Sequence, residues 1–359
     1  MERIIRRFRL PSPMVSCAPL GHGHINTSYH VRTLHGPDCL LQRISTQAFH
    51  NVPALMRNIA QVTSFLALRD RDPRHTLRLI PTLDGQPFCA MPDGQYYRMY
   101  LFIADTLCLE EAQNPRDLYA CAYAFGNFLR RLSGFPAATL YETIPHFHDT
   151  AARYAALKAA VAADCAGRAA FCRDEIAFAL SREQDAPALT CQLACGALPL
   201  RVTHNDTKLS NVLLDRTTRE PVCVVDLDTV MPGLAAYDFG DLVRSGAGTG
   251  AEDERDLSRV NWSMERYMLL LDGFLDACGD TLTESEVRSL PLGSKLMTLE
   301  CGVRFLTDYL CGDRYFHIRH PEQNLDRCRT QFRLVRCMED NWPAMTNAAR
   351  HTRSASGGE

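Results

Sequence analysis

Residues 200–211, LRVTHNDTKLSN, concentrate the chemistry of this chain. An apolar run ends in His204, Asn205 and Asp206, with Lys208 two positions past the aspartate and Asn211 five positions past it. A second apolar run, VCVVDLDT over residues 222–229, ends in Asp226 and Asp228. Transfer of a phosphoryl group from ATP to an alcohol calls for these residue types in this order. A carboxylate accepts the proton of the attacking hydroxyl, a cation faces the migrating group, and oxygen ligands hold Mg2+ against the phosphates. Asp206 fits the base, Lys208 the cation, Asn211 and Asp226 the metal ligands, and Asp228 a second metal or the acceptor. Either fragment alone is also what a helix N-cap or a strand-ending turn uses. Together, each after an apolar run, they fill four roles at once.

Positioning these residues takes two kinds of scaffold. Short β-like runs at 18–20, 27–32 and 39–44, separated by turns, predict a β-meander. Leu55, Ile59, Val62 and Leu66 recur at helical spacing and predict a helix over 52–68. Two more strands are expected at 79–82 and 96–102. Beyond Pro115 the pattern becomes helical, over 118–132, 150–163, 174–184, 258–278, 284–290, 295–310 and 324–341, with Asp117 and Asp149 as N-caps. A strand-rich island at 200–203, 212–214 and 222–226 interrupts these helices and carries both motifs. The expected fold class is α+β, with a small β-rich N-terminal lobe over 1–104, a larger helical lobe over 105–342, and a frayed polar tail over 343–359. Sites commonly lie between such lobes, which is where the nucleotide is expected.

Gly21 and Gly23, in the turn GHGHIN between two predicted strands, are placed to cover the phosphates of ATP. Phe102 and Ile103, ending the last strand of the small lobe, are placed to offer backbone groups to adenine. Kinase-like folds also place a lysine on the third strand, paired with a glutamate on the next helix. Here the third strand reads CLLQRI and residues 52–68 hold no acid. Of 39 basic residues only Lys158, Lys208 and Lys295 are lysines, so the first 157 residues contain none. Loss of both halves together is coherent, because a buried glutamate without its lysine is an uncompensated charge. Gln42 and Arg43 are the candidate replacements as phosphate clamp.

Composition narrows the partners. A net charge of -3 over 359 residues offers no cationic field for nucleic acid or an anionic membrane. Fifteen cysteines, with no CxxC pair, fit free thiols in a reducing cytosol better than a disulfide framework or a zinc site. The N-terminus, MERIIRRFRL, lacks the apolar core of a secretory signal. The expectation is a cytoplasmic protein acting on a small molecule, with no nucleic-acid or membrane partner, monomeric or a weak homodimer.

The HND segment with Asn211, and the later Asp226, resembles the catalytic and metal motifs of the aminoglycoside phosphotransferase and choline kinase superfamily, which has a protein-kinase-like two-lobe fold. The strings GHGHINTSYHV, IPHFHDT, LRVTHNDTKLSNVL, DLDTVMPGLAAYDFGDLVR and ECGVRFLTDYL, spread over residues 20–338, resemble its members that phosphorylate the anomeric hydroxyl of N-acetylhexosamines. The resemblance implies ATP and Mg2+ as cofactors, and it implies that His24, Asp206, Arg304 and Tyr315 touch the sugar. Arg supplies directional hydrogen bonds to hydroxyls, and Tyr stacks on a pyranose face. One departure is Ser245, where the resembling enzymes carry an aromatic after Asp-x-x-Arg. Asp238 and Asp241 read as structural carboxylates at a helix start, with Asp238 also a candidate tie for the catalytic loop. His146 and His148 stay unassigned. A same-fold kinase for another alcohol and a pseudokinase binding module remain the alternatives.

Overall fold

Alternation of apolar and polar residues along the strands sorts the first part of the chain into one antiparallel sheet. The computed structural model describes residues 1–21 and 25–355. In chain order the strands are β1 (Met14–Pro19), β2 (Thr27–Thr33), β3 (Cys39–Ile44), β4 (Cys89–Ala90), β5 (Tyr96–Leu101), β6 (Thr106–Leu107), β7 (Arg201–Thr203), β8 (Val212–Asp215), β9 (Pro221–Val224) and β10 (Met231–Gly233). The helices are α1 (Glu2–Ile5), α2 (Val52–Ala67), α3 (Pro115–Arg131), α4 (Thr150–Ala163), α5 (Arg173–Leu180), α6 (Ala188–Ala194), α7 (Ala235–Gly246), α8 (Met264–Cys278), α9 (Glu284–Leu310), α10 (Gln323–Asp340) and α11 (Trp342–Ala355). They form two compact units: Met1–Cys108 with Arg131–Pro145 and Asn211–Pro232, and Leu109–Arg130 with His146–Ser210 and Gly233–Glu359. The fold class is the expected α+β one.

In the first unit the sheet order is β1-β2-β3-β5-β4. The two-residue period puts Cys39, Leu41, Tyr97 and Met99 on one face, where Ile5, Phe8 and Val31 close the core. The opposite face carries Gln42, which the register sets against Ser28 on β2 and Arg98 on β5. Helix α2 starts at Asn51, whose side chain accepts from the Ala54 N–H at 3.1 Å, with a proline in the first turn. It buries Leu55, Ile59, Val62 and Leu66, each worth about 1.5–3 kcal/mol. Leu66→Ala would therefore open a cavity. The strand expected at 79–82 reduces to isolated bridges, Leu79 to Tyr100 and Phe8 to Thr82, because Pro81 has no N–H to extend a ladder. Strands β6, β8 and β9 make a second small sheet in this unit.

The second unit is helical. Helices expected over 284–290 and 295–310 are one, α9, which runs through Pro291. It starts on a capping box in which Thr283 and Glu286 bond each other's backbone N–H. Beyond Pro291, α9 lies against α7 backbone to backbone. A Cβ on Gly293 would sit 2.1 Å from the Ala236 carbonyl oxygen, and one on Gly240 would sit 2.4 Å from that of Gly293. Helix α8 starts at the Ser263 cap instead of residue 258. The tail expected to fray after Pro343 instead forms α11, burying Met345 and Ala349; Pro343 falls in its first turn, where a missing N–H costs nothing. None of the fifteen cysteines forms a disulfide. Among the described residues no helix is long and apolar enough to cross a membrane.

Candidate functional site

Strand β7 delivers the HND segment into a loop whose backbone is held from α7. His204 is fully buried, edge-on to Phe125 and Phe128 at centroid distances of 5.3 and 6.0 Å. Asn205 takes the left-handed conformation, φ 64°, which Asn tolerates better than most residues. The Asp238 carboxylate accepts from the N–H groups of His204 at 2.9 Å and Asn205 at 2.8 Å. Asp241 accepts from the Thr207 N–H at 2.8 Å and is itself held by Arg244 at 2.7 Å. Asp238 is therefore a loop tie and Asp241 a second one. Burial pushes the Asp238 carboxyl up to about 6, with His204 and the two amides restraining the rise. The loop so fixed presents Asp206, half-buried, with the Lys208 ammonium 3.0 Å from its Oδ2.

The metal-ligand candidates lie in the first unit. Strands β8 and β9 pair Val212 with Val224, and the Val225 N–H donates to the Asn211 carbonyl at 2.9 Å. That bond brings Asn211 and Asp226 to the same end of the hairpin. Asn211 is buried, and Asp226 is exposed with a left-handed backbone, φ 60°. An amide oxygen and a carboxylate are hard donors that suit Mg2+, which takes one or two protein ligands and completes its shell with water and phosphate. Among the described residues no group of three His, Cys, Asp or Glu side chains gathers into a self-sufficient metal cage. The pair fits a metal shared with a nucleotide.

Asp228, expected at a second metal or the acceptor, is 3% exposed and closes a two-pronged ion pair with Arg98, itself 1% exposed. Asn26 donates to the same carboxylate at 2.5 Å. Sequence reasoning missed Arg98 and Asn26. The signal for Arg98 was a lone cation inside the apolar strand YYRMYL, where the pleat allows it to stay buried only with a partner. Of the two clamp candidates, Gln42 spends its carbonyl on the Arg98 Nε–H at 2.9 Å and its amide on Ser28 at 3.0 Å. Arg43 points from the other face, is exposed and donates to Thr27 at 3.2 Å. Gly21 has φ 65°, open to glycine, whereas Gly23 and His24 lie outside the described residues. The Phe102 N–H donates to the Asp38 carbonyl at 2.9 Å, and the Ile103 carbonyl accepts from Thr106 at 3.0 Å.

In the second unit Arg304 and Tyr315 come together. The Arg304 guanidinium lies 5.9 Å from the Tyr315 ring centroid, 5.3 Å from that of Phe147 and 5.5 Å from that of Phe316. Tyr315 is 69% exposed, a free platform, and its N–H is anchored by Asp308 at 2.9 Å. Phe147 was not anticipated. Its neighbour His148 stands 3.0 Å from the buried Glu300, one turn before Arg304, which gives the IPHFHDT motif a packing role. A cavity of about 330 Å³ in the same unit is lined by Lys208, Arg244, Ser245, Glu110 and Glu111 among others. It falls at the low end of ligand pocket volumes.

Residues 16–270 match a family described as the phosphotransferase enzyme family. Among solved structures, the chain resembles an aminoglycoside phosphotransferase from Alicyclobacillus acidocaldarius, at 15% identity over 98% of this chain and 96% of that one, TM-score 0.62. An amicoumacin kinase in complex with AMP-PNP and Ca2+ matches at 13% identity over 95% and 92%, TM-score 0.60. A microcompartment-associated aminopropanol kinase matches at 15% identity over 96% and 97%, TM-score 0.59. At these identities the likeness speaks for the fold.

Proposed function

The chain belongs to the phosphotransferase enzyme family, kinases acting on alcohol acceptors, and from that premise we propose an N-acetylhexosamine 1-kinase that uses ATP and Mg2+. The observation that carries the reading is the Asp206–Lys208 pair on a loop whose backbone amides are fixed by Asp238 and Asp241. Asp206 orients the anomeric hydroxyl and takes its proton. The hydroxyl oxygen bonds to the γ-phosphorus as the bond to the β–γ bridging oxygen breaks, and ADP leaves. Lys208 faces the charge on the phosphoryl group as it moves in line. Asn211 and Asp226 would hold the metal, which would neutralise phosphate charge. The amicoumacin kinase structure, with its nucleotide analogue and divalent ion, supports that cofactor pair. Arg304 and Tyr315 grip the sugar, and His24 adds to that grip.

A second reading, an amino alcohol as acceptor, is favoured by the exposed carboxylates Glu110 and Glu111 on the cavity beside Lys208. Protein in the cytosol, as monomer or weak homodimer, completes the proposal. Coupled ADP release over a panel of N-acetylhexosamines, hexoses, amino alcohols and aminoglycosides tests it. N-acetylhexosamines should turn over fastest, with sugar 1-phosphate as product, and Asp206→Asn should cost at least about 10²-fold in kcat. Preference for amino alcohols would replace the first reading with the second; ATP binding without turnover of any acceptor would make the protein a pseudokinase.

A further inference from the structure

A chain of side-chain contacts runs through the first unit where a lysine and a glutamate are missing. Ser28 accepts from Gln42, Gln42 accepts from Arg98, Arg98 grips Asp228 with both terminal nitrogens, and Asp228 also accepts from Asn26. Asn26 then uses its carbonyl to accept the Ser45 N–H at 3.0 Å, at the end of β3. Thr143 donates to the Asp228 carbonyl oxygen at 3.0 Å, so the backbone of that residue is pinned as well as its side chain. Nothing in a hydrophobic core demands such a series. A buried ion pair is a costly way to gain stability, and its best attested use is to fix one arrangement over others.

What the network fixes is specific. Asp228 is two residues past Asp226, whose left-handed backbone must be held against its ordinary preference. Asn26 immediately precedes β2. We infer that Arg98 is the positioning residue for bound nucleotide: through Asp228 it sets the metal-ligand turn, and through Asn26 that turn is tied to the start of β2 and the end of β3. This inference rests on the nucleotide-binding reading above. It also reassigns Asp228. Of the roughly four acceptor positions on a carboxylate, Arg98 and Asn26 take three, so Asp228 anchors the turn and Asp226 with Asn211 is the protein's share of a single metal site.

Asn26→Ala cuts the link to the turn but leaves the Arg98–Asp228 pair in place, so the variant should fold. Calorimetric titration of full-length protein with Mg·ADP needs no acceptor and reads the nucleotide site directly. The expected result is about tenfold weaker Mg·ADP binding, a matching rise in the KM for ATP, less than twofold change in acceptor KM, and a melting temperature lowered by only a few degrees, because the Ser45 N–H loses its acceptor. Arg98→Lys, which keeps the charge and loses the fork, should weaken Mg·ADP binding too, while Arg98→Met should weaken it further or fail to fold. Unchanged Mg·ADP affinity in both Asn26→Ala and Arg98→Lys, or equal losses for nucleotide and acceptor, overturns the inference and leaves the kinase reading standing. Wild-type protein that does not bind Mg·ADP overturns both.

Discussion

Asp228 and Asp238 stand ten positions apart in the sequence, both shut away from solvent, and the protein answers their charges by opposite means. In the first unit Asp228 meets a guanidinium, and Arg98 stays charged: burial works against it, but Asp228 beside it raises its pKa further above the ordinary arginine value. In the second unit Asp238 meets only backbone N–H groups and a neighbouring histidine, and its carboxyl is pushed up to about 6. A full countercharge makes an anchor with a partner of opposite charge on each side. Dipoles make an anchor that can be released by acid. The turn from Asp226 to Asp228 is held by the first kind and the loop bearing Asp206 by the second.

The sharpest break of this contrast is Arg98→Met, which strands Asp228 as a buried lone charge and should cost about 3–5 kcal/mol in urea unfolding. The double variant Arg98→Met with Asp228→Asn should recover part of that loss; no recovery would mean that Arg98 matters for packing and not for charge. Asp238→Asn should cost less, about 1–3 kcal/mol, since one new amide group faces a backbone N–H that then has no acceptor. It should also lower kcat, because the loop carrying Asp206 loosens. If it proves costlier than Arg98→Met, dipoles outweigh the countercharge here and the contrast fails.

The pH dependence is smaller and has a definite sign. The unfolded Asp238 carboxyl releases its proton near 3.8, while the folded one keeps it up to about 6. Stabilisation from this group is therefore present below pH 3.8 and is lost as pH rises to about 6, at no more than about 1.4 kcal/mol per pH unit. Subtracting the Asp238→Asn unfolding curve from wild type across that window isolates the slope, and a flat difference would reject the assigned shift. Below about pH 6 protonation also weakens the hold on the HND loop, so kcat should fall there. Smaller still, Lys208→Arg should retain more turnover than Lys208→Ala, with full activity meaning that charge alone suffices. Exposed Arg43→Ala should raise the KM for ATP by a few-fold at most.

The elements most legible in the sequence were those with local causes. Helix α4 starts and stops at the expected residues because Asp149 caps it, its side chain accepting from the Ala152 N–H at 3.0 Å. The run Val52–Ala67 announced itself by the spacing of its apolar residues. Strand 79–82 was misread because Pro81 cannot extend a ladder to a partner strand, and the expected break near Pro291 did not occur because the helix runs on through that proline. Within the candidate site, the HND loop and the DLDT turn were legible from spacing. The Arg98 network was not, since its members at positions 26, 42, 98 and 228 meet only through sheet register and tertiary packing. Phe147 was hidden for the same reason.

The contact of Gly240 with Gly293 has a consequence for changing the acceptor. Helix α7 carries both ties to the Asp206 loop, and α9 carries Glu300 and Arg304. Where these helices cross, backbone touches backbone with no side chain between them, so the crossing behaves as a rigid ruler whose length no rotamer can adjust. Efforts to widen substrate scope should therefore work on the ends of that ruler, at Ser245, Tyr315 and Phe147. A single methyl group at Gly293 would instead move the Asp206 loop and the Arg304 segment apart together.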